Sequence, residues 1–193
     1  MSAVYTPEEI AGTVDEFSAS RRLVCKFIGG WAGLTGLGLS GCGREDAKRP
    51  WKGAAFPGFT LPEPDGTLHH SREYLGRPLL INFWATWCAP CRKEMVDLDS
   101  LHRQLGPRGL QLLAISVDAD RNLLREYLRQ KGFGFRVLVD GDQQWSAPAL
   151  RIQGFPTTYL IGNDGLIRDA WVGPRLWADP ATQAEIAAAV GLA

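Results

Sequence analysis

Residues 83–91 read Phe83-Trp84-Ala85-Thr86-Trp87-Cys88-Ala89-Pro90-Cys91, and the fold turns on what lies on either side of them. Upstream, Pro78-Leu79-Leu80-Ile81-Asn82-Phe83-Trp84 is a short, nearly continuous apolar run, the pattern of a strand buried on both faces. Downstream, from Ala89 to about Leu105, Met95, Leu98, Leu101 and Leu105 recur at steps of three and four between charged positions, which predicts an amphipathic helix. Gly106-Pro107 stops it. The two cysteines therefore stand at a strand-to-helix junction. A thiol in the first helical turn meets unpaired backbone N–H groups and the positive end of the helix dipole. Both favour the thiolate, which is the nucleophile of disulfide exchange. Cys91, three residues on, can reach the same sulfur, so Cys88 is expected to attack from an exposed position and the more buried Cys91 to resolve. Pro90 is tolerated because first-turn N–H groups have no helical acceptor.

Working outward, the pattern alternates. Phe59-Thr60-Leu61 and Thr67-Leu68 flank a Pro64-Asp65-Gly66 turn and predict an N-terminal β-hairpin, followed by one helical turn over Ser71 to Leu75. Leu110 to Val117 reads as a second buried strand, Asn122 to Gln130 as a helix closed near Gly132, and Phe135 to Val139 as a third sheet strand. A short helix over Trp145 to Ile152 precedes a strand over Thr157 to Ile161. Asn163-Asp164-Gly165 turns that strand back into Leu166 to Val172, and Ala181 to Val190 is a final helix. The fold class is α/β, a mixed central sheet flanked by helices.

Composition and cysteine placement narrow the chemistry. With 21 basic against 21 acidic residues, the chain is a poor candidate for a nucleic-acid binder that works by neutralising phosphates. A zinc site needs four ligands, and beyond Cys91 there is no further Cys and only His102. His69-His70 falls in a predicted loop and reads as solvated surface. A peroxidatic cysteine would want Pro-x-x-x-Thr-x-x-Cys, where this chain has Ile81 and Ala85. A redox pair that needs no metal or bound cofactor remains. Trp84 and Trp87 flank it as an apolar contact surface, with core packing the alternative for Trp84. Trp145, Trp171 and Trp177 read as core or rim.

Residues 83–91 resemble the active-site segment of the thioredoxin superfamily, and the membrane-tethered TlpA/ResA type is the nearest match over roughly residues 56–190, an AhpC/TSA-redoxin-like domain. Gly154-Phe155-Pro156-Thr157-Thr158 resembles the cis-proline loop that faces the cysteine pair in this superfamily. The resemblance implies a thioredoxin-like fold with a Cys88–Cys91 disulfide. It assigns Cys88, Cys91, Glu94 and Pro156 to catalysis and Trp87, Pro90, Phe155 and Thr157 to substrate contact, the Phe155 backbone pairing with an extended substrate by strand addition. About Asp118 to Asp142 resembles the helix-and-strand insertion that separates this type from bare thioredoxin. Two departures sharpen the subtype. Asn82 stands where thioredoxin carries a buried Asp, so that base is missing, and Glu94, matching an acid of the TlpA/ResA type, lies on the Cys91 side of the helix to take its proton. Pro156-Thr157-Thr158 replaces the Pro-Glu-Thr of the CcmG-type cytochrome-maturation reductases.

The N-terminal forty residues read as an address. Arg21-Arg22 followed by Lys26 resembles a twin-arginine export signal, and the run Phe27 to Gly41 holds six glycines in fifteen residues, too weakly apolar for a confident spanning helix. Leu39-Ser40-Gly41-Cys42 resembles a bacterial lipobox, which implies cleavage before Cys42 and its acylation. More than one acyl chain anchors stably where one is marginal. The expected organisation is a signal peptide over 1–41 that discards Cys25, a Gly/Pro-containing tether over 42–55, and the working domain over 56–193. The expected activity is that of an exported, lipid-anchored thiol:disulfide oxidoreductase on the periplasmic or extracytoplasmic face of a membrane. It would reduce cysteine-containing substrate proteins and be recharged by a membrane thiol-electron donor. The rival is a copper-binding assembly protein, because soft thiolates suit Cu(I).

Overall fold

The computed structural model describes residues 51–192. Strand β3 (Leu79–Trp84) is the predicted apolar run, and all six of its residues are buried. Its side chains alternate between two cores. Leu80 and Trp84 join one cluster with Met95, Leu98, Leu101 and Leu105, while Leu79, Ile81 and Phe83 join the other. That two-sided burial explains why no polar alternation shows in the sequence.

Five strands form the sheet in the order β5-β4-β3-β6-β7. Strands β4 (Gln111–Ser116) and β5 (Arg136–Val139) run parallel to β3, whereas β6 (Thr157–Ile161) and β7 (Ile167–Val172) form an antiparallel hairpin beside it. The Asn163-Asp164-Gly165 turn closes that hairpin, with Gly165 at φ 80° donating its N–H to the Gly162 carbonyl. Helices α1 (Ala89–Leu105), α2 (Arg121–Lys131) and α4 (Pro180–Ala189) contribute to the first core. The second core lies under an N-terminal hairpin of β1 (Thr60–Pro62) and β2 (Leu68–His70), a 3-10 turn over Ser71–Tyr74, and the short α3 (Ser146–Leu150). Helix α2 and strand β5 are the insertion expected over 118–142, with β5 as the sheet edge. The α/β thioredoxin-like architecture is as the sequence predicts.

Helix boundaries have local causes. Asp120 caps α2 by accepting the N–H groups of Asn122 and Leu123, and Gly132 ends it in a left-handed conformation. Asp179 caps α4 ahead of Pro180. Helix α3 ends at Leu150, short of the expected Ile152, because Arg151 takes φ 52°. Among the described residues no helix is long and apolar enough to cross a membrane.

Two expectations need correction. Residues 51–55, read as the end of a tether, are hydrogen-bonded onto the sheet: Gly53 donates to the Ile167 carbonyl, Ile167 donates to that of Ala54, and Ala55 bridges Leu166. Backbone pairing leaves no mark on side-chain periodicity, so the sequence hid it. His69 lies on β2 opposite Leu61, and its ring nitrogens are each 2.8 Å from a carboxylate, Glu63 on one side and Glu73 on the other. It is a half-buried strand residue hydrogen-bonded through Nδ1 to Glu73 rather than free loop surface. The signal, Cys25, Cys42 and the tether up to residue 50 lie outside the described residues.

Candidate active site

Cys88 caps α1. Its Sγ accepts the Cys91 N–H at 3.3 Å, and the two sulfurs are joined in a disulfide with Cα atoms 5.2 Å apart. Cys88 is 7% exposed and Cys91 1%: both are buried in the disulfide form, so the exposed position expected for Cys88 is corrected, while Cys91 is the more buried of the two. Pro90 falls in the first turn, where it displaces no helical hydrogen bond. Trp87 is exposed and Trp84 is fully buried, so only Trp87 belongs to the surface.

Register brings the second motif to the pair. Phe83 on β3 faces Thr157 on β6, so the end of β3 that leads into the cysteine turn adjoins the start of β6. The Phe155–Pro156 peptide is cis, and the Phe155 ring sits edge-on to Trp87 at 6.0 Å between centroids. Thr157 Oγ1 donates to the Gly154 carbonyl and braces the loop. Asn82 is buried and donates to Thr158 Oγ1 at 2.9 Å, tying β3 to β6 where a proton-accepting acid would otherwise stand.

Beneath the turn lies a network the sequence reading missed. Asp118, just past β4, is buried and accepts the Thr86 N–H at 2.9 Å, the Thr86 hydroxyl at 2.7 Å and the Ser116 hydroxyl at 2.7 Å. Arg92 spans back from α1 to donate to the Thr86 carbonyl at 2.6 Å. The only available clue was an acid ending an apolar run. Glu94, by contrast, is where helical spacing put it, buried one turn past Cys91. Burial pushes its carboxyl up from the usual carboxylate value to about 7, opposed by a hydrogen bond from the Trp177 indole and reinforced by the charge of Asp97. Glu94 Oε1 accepts the Trp177 N–H, and Oε2 is buried with no partner. Trp177 lies on the irregular segment between β7 and α4, where no periodicity announces a role.

The arrangement can exchange disulfides at a helix N-terminus with an acid titrating near neutrality beside it. Among the described residues no group of three or more His, Cys, Asp or Glu side chains is placed to hold a metal ion. Residues 52–170 match the family model described as the AhpC/TSA family. The chain belongs to the AhpC/TSA family. Within it, the chain is similar to the thiol-disulfide oxidoreductase ResA of Geobacillus thermodenitrificans, 29% identical over 63% of this chain and 69% of the relative. Two solved structures share the fold. A putative thiol:disulfide interchange protein DsbE from Chlorobium tepidum aligns with TM-score 0.65 and 28% identity over 72% of this chain and 96% of its own. A putative thioredoxin from Neisseria meningitidis aligns with TM-score 0.61 and 29% identity over 72% and 90%. This AhpC/TSA member is thus a ResA/TlpA-type thioredoxin-like protein, and its enzyme class is thiol-disulfide oxidoreductase.

Proposed function

We propose that the protein is an exported, lipid-anchored reductant of protein disulfides, with Cys88 as nucleophile, Cys91 as resolving thiol and Glu94 as proton acceptor. The observation that carries the reading is the cysteine pair at the head of α1, with the Cys91 N–H aimed at the Cys88 sulfur. In the reduced form that N–H and its first-turn neighbours favour negative charge on Cys88. The Cys88 thiolate attacks one sulfur of a substrate disulfide, forming the Cys88–substrate bond as the substrate's own S–S bond breaks. Cys91 then gives its proton to Glu94 and attacks Cys88 Sγ. The Cys88–Cys91 disulfide forms, and the substrate leaves as a thiolate carrying the electron pair. A carboxyl titrating near 7 is matched to this transfer at neutral pH. Trp87, Pro90, Phe155 and Thr157 would hold the substrate segment.

Export and anchoring are supported by Arg21-Arg22 and by the Leu39-Ser40-Gly41-Cys42 sequence. A membrane thiol-electron donor would return the two electrons, and apocytochrome c or a copper-site protein is the substrate class that the family resemblance points to. The test is an insulin or glutathione exchange assay on the reduced protein set against Cys88→Ser, where equal rates would end the proposal. Direction is read from the reduction potential of the pair. A value near that of thioredoxin, about −270 mV, supports a reductant, and one near about −120 mV makes the protein an oxidant.

A further inference from the structure

Glu94 is held from outside its own helix. It forms part of the wall of a groove of about 490 Å³ between the head of α1 and the segment after β7, lined also by Pro90, Lys93, Pro174, Arg175 and Leu176. The charged and titratable groups around it come from three elements. Helix α1 supplies Cys91, Lys93 and Asp97, the segment after β7 supplies Arg175, and α4 supplies Glu185, which accepts a hydrogen bond from Arg175. The Arg175 guanidinium stacks over the rings of Trp171 at 4.6 Å and Trp177 at 5.6 Å. Trp177 itself is fully buried, edge-on to Trp171 at 5.4 Å, and its carbonyl accepts from Gln183 on α4 at 3.3 Å. Its ring is therefore held by Arg175 and Trp171, and its backbone by α4. The one polar group it carries inward is the indole N–H, and that N–H goes to Glu94 Oε1.

We propose that Trp177 is a positioning residue of the exchange reaction: its indole N–H fixes Oε1 of Glu94 and leaves Oε2 as the oxygen that receives the Cys91 proton. The inference rests on Glu94 as proton acceptor, as proposed above. A tryptophan suits the task because its N–H is a donor only. It stabilises the carboxylate without offering a rival proton acceptor and without adding a charge to the buried site. An Arg or Lys there would pull the carboxyl back towards its ordinary acidity, and a purely apolar residue would let it rotate and hold its proton more tightly.

The test uses Trp177→Phe, and beside it the full chain carrying benzothienylalanine at 177, which keeps the two-ring shape and lacks the N–H. Glu94 is titrated through the infrared carbonyl band of its protonated form, assigned by difference from Glu94→Gln. Losing the donor is expected to raise its midpoint by about one unit. Single-turnover resolution of a Cys88 mixed disulfide is expected to slow about tenfold at neutral pH, with its pH profile displaced the same way. In a Glu94→Gln background the same changes at 177 should leave the profile where it was. An unmoved infrared titration overturns the positioning itself. A displaced profile that persists without Glu94 reduces Trp177 to core packing. A moved titration with an unmoved profile overturns the role in exchange by removing Glu94 from it. The benzothienyl chain keeps the core filled, so the test survives if Trp177→Phe does not fold.

Discussion

Two carboxylates are buried beside the cysteine pair, and they are treated in opposite ways. Asp118 accepts three hydrogen bonds from Thr86 and Ser116, all from groups that need an acceptor in order to be buried. Glu94 receives one, from Trp177, and keeps an oxygen with no partner. A fully hydrogen-bonded carboxylate works as a joint, here between the end of β4 and the cysteine turn. An unsatisfied one stays near its titration point and can trade a proton. The same functional group serves as scaffold or as chemistry according to how many donors surround it.

The comparison breaks first at the sulfur. Cys88→Ser is expected to reduce insulin exchange to the uncatalysed background while leaving the Asp118 network and the unfolding midpoint of the reduced protein intact. Next is Glu94→Gln, which should slow resolution about 100-fold at neutral pH, seen in single-turnover kinetics. The same variant should alter the pH dependence of stability. A carboxyl raised to about 7 keeps its proton in the folded chain where the unfolded chain releases it near 4.5. The contribution of this carboxyl to stability is therefore lost as pH rises from about 4.5 to about 7, by roughly 3 kcal/mol, and then levels. Glu94→Gln should lack that fall in chemical denaturation at stepped pH, and an identical slope would contradict the burial account.

Asp118→Ala should act on folding instead. It orphans the Thr86 N–H and two hydroxyls, at a cost of about 2–3 kcal/mol in denaturant unfolding. Its residual exchange should keep the wild-type pH profile. A displaced profile would mean that Asp118 shares in the proton chemistry and that the two carboxylates are not separable. The smallest effect is expected at Trp87→Ala, where losing an exposed ring beside Phe155 should raise the KM for a protein substrate about fivefold and leave kcat nearly unchanged.

The halves of this picture differed in how legible they were. Strand β3, helix α1 and the β6–β7 hairpin were readable because burial imposes a period on Met95, Leu98, Leu101 and Leu105 and because Asn163-Asp164-Gly165 names its own turn. Glu94 was singled out by the family resemblance, and its place was readable because three residues along a helix is a fixed direction from Cys91. Asp118 and Trp177 were not, since each acts across the fold, Asp118 on Thr86 and Trp177 on Glu94, and nothing in local spacing encodes such a partner. Residues 51–55 were misread for a related reason. What holds them is main-chain pairing at the start of β7, to which a Gly and two Ala contribute no pattern, together with Trp51 packed against the second core.

That pairing also gives the domain a mechanical polarity. Residues 53–55 attach at the Ile167 end of β7, whereas the cysteine turn and the loop at Phe155 adjoin the Val172 end through the Thr157–Val172 register. The two ends of that strand are about 17 Å apart at the usual rise of a strand. A load carried by residues 53–55 would enter the sheet at the end of β7 opposite the cysteine turn.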